Sequence, residues 1–150
     1  MDTYIITVGR SRAEKIWKAR AATWDDLAAR LADVRRTPES ASEYNRMSHE
    51  ARGRAKDVGG FVGGRFSGTS RKADEVAARS LITLDIDHGN ASTVGIVEDM
   101  MEGTAWCLYS THSHTARTPR YRLVVPLSRE VSPDEYIPIA RRLADDIGIA

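Results

Sequence analysis

The sequence is poor in cysteine and in long apolar runs. Its single cysteine, Cys107, excludes an internal disulfide framework and is typical of a protein from a reducing compartment. No apolar run approaches the roughly 18 residues that a membrane-spanning helix needs. The N-terminus also lacks the basic-then-apolar pattern of a signal peptide. We therefore expect a cytoplasmic protein with no membrane partner.

The chain also lacks a large net charge of either sign. Its 22 basic and 21 acidic residues leave a formal charge of +1 at pH 7. No global basic field therefore indicates a nucleic-acid-binding protein, and any such role must depend on local patches. With 150 residues, 41% of them hydrophobic, the chain has the length and composition of one domain with a buried core.

The order of the periodic segments predicts an α+β fold in which helices cover a sheet. Strands are expected at residues 4–8, 81–87, 106–110 and 120–125, with a glycine-rich extended stretch at 58–66. Helices are expected after an N-cap at Thr23, around residues 43–52, at 94–101, and at 133–147. Because Pro138 lacks a backbone donor, the last helix is alternatively expected to begin near it.

Two aspartates close the most apolar predicted strand. Alternating side chains place Leu84 and Ile86 toward the core, and they place Asp85 and Asp87 together on the other face, about 6.6 Å apart along the backbone. Two carboxylates on a rigid strand can share hard divalent cations such as Mg²⁺ or Mn²⁺. A solvated strand end is the alternative, but carboxylates are costly beside such an apolar strand. The pattern favours a metal site.

A serine–histidine segment follows the next predicted strand. If the two strands are neighbours, Ser110 and His112 reach the same end of the sheet as the aspartates. Both side chains could then donate hydrogen bonds to triphosphate oxygens. A polar loop with solvent-facing histidines is the other interpretation.

The strand at residues 120–125 carries two arginines. Alternation places Arg120 and Arg122 on one face, opposite Tyr121 and Leu123. Two guanidinium groups beside a carboxylate–histidine site suit a phosphate or a template backbone, although a solvated strand face is equally consistent with the pattern. Arg65, Arg71 and Lys72 form a further basic group ahead of the acidic strand.

These motifs resemble the archaeo-eukaryotic primase superfamily. Residues 81–87 match its apolar strand ending in Asp-x-Asp, and residues 110–112 match its small-residue-x-His motif. The glycine-rich residues 59–64 and the segment 119–127 are similar to the primase-like region of phage and plasmid replication proteins. The resemblance spans most of the chain.

The resemblance implies an RRM-like primase–polymerase core with a mixed or antiparallel sheet flanked by helices. It implies that Asp85 and Asp87 are catalytic metal ligands for Mg²⁺ or Mn²⁺ and that His112 contacts the nucleotide. A third acidic ligand is expected beyond Ala150, so residues 1–150 would be an N-terminal fragment of a larger primase or primase–helicase. Nucleoside triphosphates, a single-stranded DNA template and a helicase are the implied partners.

Three rival functions remain from the sequence. One is a phosphatase of the Asp-x-Asp class, although His88 and Gly89 follow Asp87 where such sites usually have Gly-Thr or Gly-Val.

His112 and His114 could form a His-x-His metal site of a nicking endonuclease, with Tyr121 or Tyr136 as the nucleophile. Alternatively, the chain is a replication module that binds nucleic acid without catalysis.

Overall fold

The computed structural model describes residues 2–149. It contains seven strands: β1 Thr3–Gly9, β2 Lys18–Thr23, β3 Gly60–Val62, β4 Gly64–Phe66, β5 Val76–Ile86, β6 Cys107–Ser110 and β7 Tyr121–Val131. Five α-helices accompany them: α1 Trp24–Ala32, α2 Ala41–Arg46, α3 His49–Ala55, α4 Thr93–Met100 and α5 Pro133–Ile147. A short 3₁₀ turn, Ala73–Glu75, leads into β5. No helix within residues 2–149 is both long and apolar enough to cross a membrane.

The strands form two sheets. One has the order β2-β1-β3 and the other the order β4-β5-β7-β6, and every strand pair in residues 2–149 is antiparallel. Two buried hydroxyl groups connect the sheets. Thr7 Oγ1 donates to the carbonyl oxygen of Gly64 at 2.8 Å, and Ser80 Oγ donates to that of Ile5 at 2.6 Å. The α+β class expected from the sequence is therefore confirmed.

The four-stranded sheet is covered on both faces. Ile86 and Leu123 lie on the face that packs against α4 and α5, where Val97 and Ile147 complete a buried cluster. Leu81 and Val124 lie on the opposite face, against Ile6 of β1 and Leu27 of α1. Leu81, Leu123, Val97 and Val124 are each 0% exposed. The sheet is thus the central layer of the domain, which explains the apolar character of β5.

Most of the predicted elements are present, with bounds shifted by a few residues. Thr23 caps α1, since its side chain accepts a hydrogen bond from the backbone of Asp26. The last helix begins at Pro133 behind a capping box of Ser132 and Glu135, so the prediction of a start near Pro138 is wrong.

Two segments differ from the prediction. Residues 18–23 form β2 through antiparallel pairing with β1, although no strand was expected there. The single helix expected around residues 43–52 is two helices, because Met47 and Ser48 are extended and Ser48 caps α3. Each short helix has its own serine cap, which satisfies free backbone donors at its start.

Candidate functional site

Strand order brings the predicted motifs to one edge of the four-stranded sheet. β5 and β6 are not neighbours, because β7 lies between them and pairs antiparallel with both. β5 and β6 therefore run in the same direction and end at the same edge. Asp85 pairs in register with Arg122, which in turn pairs with Tyr109. These three residues form a row across the sheet.

Each aspartate of the predicted pair is held by an arginine. Arg122 donates to both carboxylate oxygens of Asp85, from Nε at 2.6 Å and from Nη2 at 3.1 Å. Arg120 donates from Nη1 to Asp87 Oδ1 at 3.3 Å. Because Asp87 directly follows β5 and Arg120 directly precedes β7, the second pair continues the ladder beyond the last paired residues. We call these four residues the aspartate–arginine pairs.

The aspartate–arginine pairs remain accessible to solvent. The side chains of Asp85 and Asp87 are 53% and 60% exposed, and both arginine side chains are 39% exposed. The hydrogen bonds that Arg122 donates to Asp85 raise the pKa of Arg122, against the opposing effect of its partial burial. Burial raises the pKa of the neighbouring Tyr109, while the positive charge of Arg122 opposes that rise. Arg122 is therefore a permanent cation at the centre of the row.

His112 lies against the helical segment that precedes β3. Its Nε2 is hydrogen-bonded to Thr37 Oγ1 at 2.9 Å, and its ring lies 4.5 Å from the ring of Tyr44, measured between centroids. Tyr44 is buried, whereas His112 is exposed. The ring is thus positioned by α2 and the residues before it, at the sheet edge where β6 ends.

His114 has a different environment from His112. Its Nδ1 accepts a hydrogen bond from the backbone nitrogen of Arg120 at 3.1 Å, and its ring lies 5.1 Å from that of Tyr121. The two histidines therefore have separate partners. Within residues 2–149, no group of three or more His, Cys, Asp or Glu side chains could hold a metal ion. These contacts give no support to a His-x-His metal site.

Some predicted contact residues lie on the opposite side of the sheet. Ser110 pairs with Tyr121, which in turn pairs with Ile86, so the register position of Ser110 is on the face covered by α4 and α5. Tyr121 and Trp106 pack partly buried against that same cluster. They are not on the face of the aspartate–arginine pairs.

Sequence reasoning did not identify Tyr109, Thr37 or Tyr44 as site residues. Alternation along residues 106–110 places Tyr109 opposite Ser110 in orientation, so its face could have been predicted from the pattern. The contacts of Thr37 and Tyr44 with His112 had no sequence signal, since 75 residues separate Thr37 from His112.

The residues present fit a divalent cation whose remaining ligands are phosphate oxygens and water. Asp85 and Asp87 supply carboxylate oxygens from the same face of one strand end. Mg²⁺ in nucleotide sites is commonly held by one or two carboxylates, with phosphates and water completing its shell. The donor set therefore suits a metal–phosphate complex better than a metal held by protein ligands alone.

A family model described as the VapE N-terminal domain matches residues 2–150. The comparison with curated proteins gives no match, and neither does the comparison with solved structures.

Proposed function

The chain belongs to the VapE N-terminal domain family, a phage- and plasmid-replication-associated family, and from that premise we propose that it is a nucleotidyltransferase domain of the primase–polymerase type. It binds a metal-complexed nucleoside triphosphate at the aspartate–arginine pairs. The resemblance of residues 81–87 and 110–112 to primase motifs supports the same function.

The observation that best supports this function is the bidentate contact between Arg122 and Asp85. Arg120 and Asp87 form a similar, weaker contact. A metal–triphosphate complex carries both positive and negative charge. Its cation is complementary to the two carboxylates, and its phosphate oxygens are complementary to the two guanidinium groups. Binding would exchange the internal ion pairs for pairs with the ligand, so no charge would be left without a partner.

His112 is assigned to the triphosphate contact. The ring is already oriented by Thr37 and Tyr44, which reduces the conformational freedom lost on binding. The arginines provide planar donors that match phosphate geometry. We assign no contact to Ser110, because its register position is on the other face of the sheet.

The proposed reaction is attack of a primer 3′-hydroxyl on the α-phosphate, with formation of a phosphodiester bond and release of pyrophosphate. Mg²⁺ or Mn²⁺, held at Asp85 and Asp87, would lower the pKa of the primer 3′-hydroxyl and neutralise charge on the phosphates. Arg120, Arg122 and His112 orient the triphosphate and stabilise its charge. A single-stranded DNA template and a helicase are the proposed partners.

Calorimetric titration of a deoxynucleoside triphosphate into the full chain tests this function. The titration is run with Mn²⁺ and with EDTA, for the parent and for Asp87→Asn. Asp99→Asn is the matched control, since it removes an exposed carboxylate from α4, away from the site. We expect binding that requires the metal, weakens at least tenfold in Asp87→Asn and is unchanged in Asp99→Asn.

Other results would redirect the assignment. Binding that is indifferent to metal and to Asp87→Asn contradicts the two-aspartate site and favours a non-catalytic nucleic-acid-binding module. Absence of nucleotide binding contradicts the proposal that this chain holds the site by itself. Metal-dependent cleavage of DNA that is lost on changing His114, but not Asp87, would favour the nicking endonuclease.

A further inference from the structure

We propose that a second surface of the domain, formed by residues 10–20, 46–57 and 67–72, binds the phosphate backbone of duplex DNA. We call it the basic surface. It goes beyond the proposed nucleotide site and does not depend on it, because the two share no residue.

The basic surface explains how a nearly neutral chain can bind DNA. Its three segments carry 11 of the chain's 22 basic residues but only 3 of its 21 acidic ones, Glu14, Glu50 and Asp57. The segments have a net charge of +8, and the rest of the chain has −7. The overall charge of +1 therefore hides a strong local asymmetry, and it is local potential that attracts a polyanion.

Side-chain contacts join the first two segments, which are distant in sequence. The Asp57 carboxylate accepts hydrogen bonds from Ser11 Oγ at 2.7 Å and from the backbone nitrogen of Arg12 at 3.0 Å. The Arg12 guanidinium lies directly over Gly53 of α3, where a Cβ atom would collide with it. These hydrogen bonds lower the pKa of Asp57, the contact with Ser11 most of all.

The third segment is attached to the first through Trp17. The Arg71 guanidinium lies 4.4 Å from the centroid of the Trp17 ring, a cation–π contact. Trp17 also donates from its backbone nitrogen to the carbonyl oxygen of Thr69 at 3.3 Å. All three segments therefore lie together. Arg65 has a different environment, since it is ion-paired with Glu130 of β7.

Several cations of the basic surface are available to a ligand. Lys15, Lys18, Arg20 and Lys72 are exposed, and none has a side-chain hydrogen bond or ion pair to another residue in the range 2–149. Lys18 and Arg20 share one face of β2, where they line a shallow groove of about 310 Å³. Cations without internal partners can neutralise phosphates without first breaking an ion pair.

The chemistry of the basic surface favours a duplex over a single strand. Proteins that hold single strands stack the bases on exposed aromatic rings. The three segments contain one aromatic residue, Trp17, which is 6% exposed and covered by Arg71. The surface therefore offers charge but no stacking platform. Such a surface suits contacts with the phosphates of a duplex, which position the duplex without recognising its base sequence.

Fluorescence anisotropy with a short labelled DNA duplex, in EDTA and without nucleotide, tests this proposal on the full chain. The test variant replaces Lys15, Lys18, Arg20 and Lys72 by Gln. The control variant replaces Arg30, Arg35, Arg36 and Arg141 by Gln; these are also exposed, and the control removes the same charge from elsewhere. Lys72→Glu alone probes the surface without altering β2.

We expect the test variant to bind the duplex at least tenfold more weakly than the parent and the control variant to lose less than threefold. The plot of log K against log salt should become less steep, by about 0.9 in slope for each lost phosphate contact. Lys72→Glu should weaken binding severalfold. The metal-dependent nucleotide titration should be the same in the test variant and the parent, so failure of either proposal is recognised separately.

Equal losses in the test and control variants would overturn the assignment, and so would a test variant that binds as tightly as the parent. Tighter binding of a single strand of the same length would overturn the choice of a duplex.

Discussion

Arg122 extends across the β5–β7 ladder and holds both carboxylate oxygens of Asp85, at 2.6 and 3.1 Å. The two residues are directly paired in register, so neither side chain needs an extended reach. An arginine–carboxylate pair of this geometry is planar and well ordered. In the absence of a ligand, the carboxylates and guanidinium groups of the site therefore pair with each other. A ligand that replaces these pairs must carry both positive and negative charge.

The first prediction concerns the contribution of this pair to stability. Because the side chains of Arg122 and Asp85 are 39% and 53% exposed, solvent screens the attraction, and we expect a coupling energy below about 1 kcal/mol. A double-mutant cycle of Asp85→Asn and Arg122→Gln, followed by urea unfolding, measures it. Both single variants should still lose metal-dependent nucleotide binding. A coupling of several kcal/mol would mean that the pair is mainly structural.

The second prediction concerns the orientation of His112. Thr37→Val removes the hydroxyl that lies 2.9 Å from His112 Nε2 but preserves the shape of the side chain. We expect nucleotide affinity to fall severalfold, less than in His112→Ala, with little change in the free energy of unfolding because the contact is exposed. Thr37→Ser keeps the hydroxyl and should restore the affinity. If Thr37→Ser binds as weakly as Thr37→Val, the hydrogen bond is not the cause.

The faces of the site residues could be predicted from the sequence because strand alternation is a local property. The pattern at residues 84–87 correctly places Ile86 and Asp85 on opposite faces of the sheet. The pattern at residues 120–123 does the same for Arg122 and Leu123. The pairing of Arg122 with Asp85 could not be predicted in the same way. It requires β7 to pair with β5 in this register, and strand order depends on contacts between distant segments.

The remaining differences also have long-range causes. Residues 18–23 contain Lys, Arg and three alanines, all tolerant of a helix, and become β2 only because β1 offers a pairing edge. His112 obtains its partners from α2 and Thr37, far away in the chain. No local pattern reports such a contact.

The third prediction concerns the connection between the two sheets. Ser80 is 2% exposed and donates from Oγ to the carbonyl oxygen of Ile5 at 2.6 Å. Ser80→Ala should cost about 1–3 kcal/mol, since the partly buried carbonyl oxygen of Ile5 loses a hydrogen-bond donor. Urea unfolding measures the loss. Ser128→Ala, at an exposed position of β7, is the matched control and should be close to neutral. Equal effects of the two changes would show that the cross-sheet bond contributes nothing.

The fourth prediction is a pH dependence of stability from Glu135. Its hydrogen bond from Arg129, with further donation from the backbone of Ser132, lowers its pKa from 4.5 to about 2. The unfolded chain therefore binds this proton more readily than the folded one. The stabilisation is fully present above pH 4.5 and is lost as the pH falls toward about 2.

Glu135→Gln tests this dependence while keeping the capping box, because Gln also accepts a hydrogen bond from the backbone of Ser132. The variant should be less stable than the parent at neutral pH, and the difference should shrink as the pH falls from 4.5 toward 2. Urea unfolding at several pH values measures it. Glu98→Gln, at an exposed position of α4, should show no such convergence. A difference that stays constant over that range would mean that the charge of Glu135 does not stabilise the start of α5.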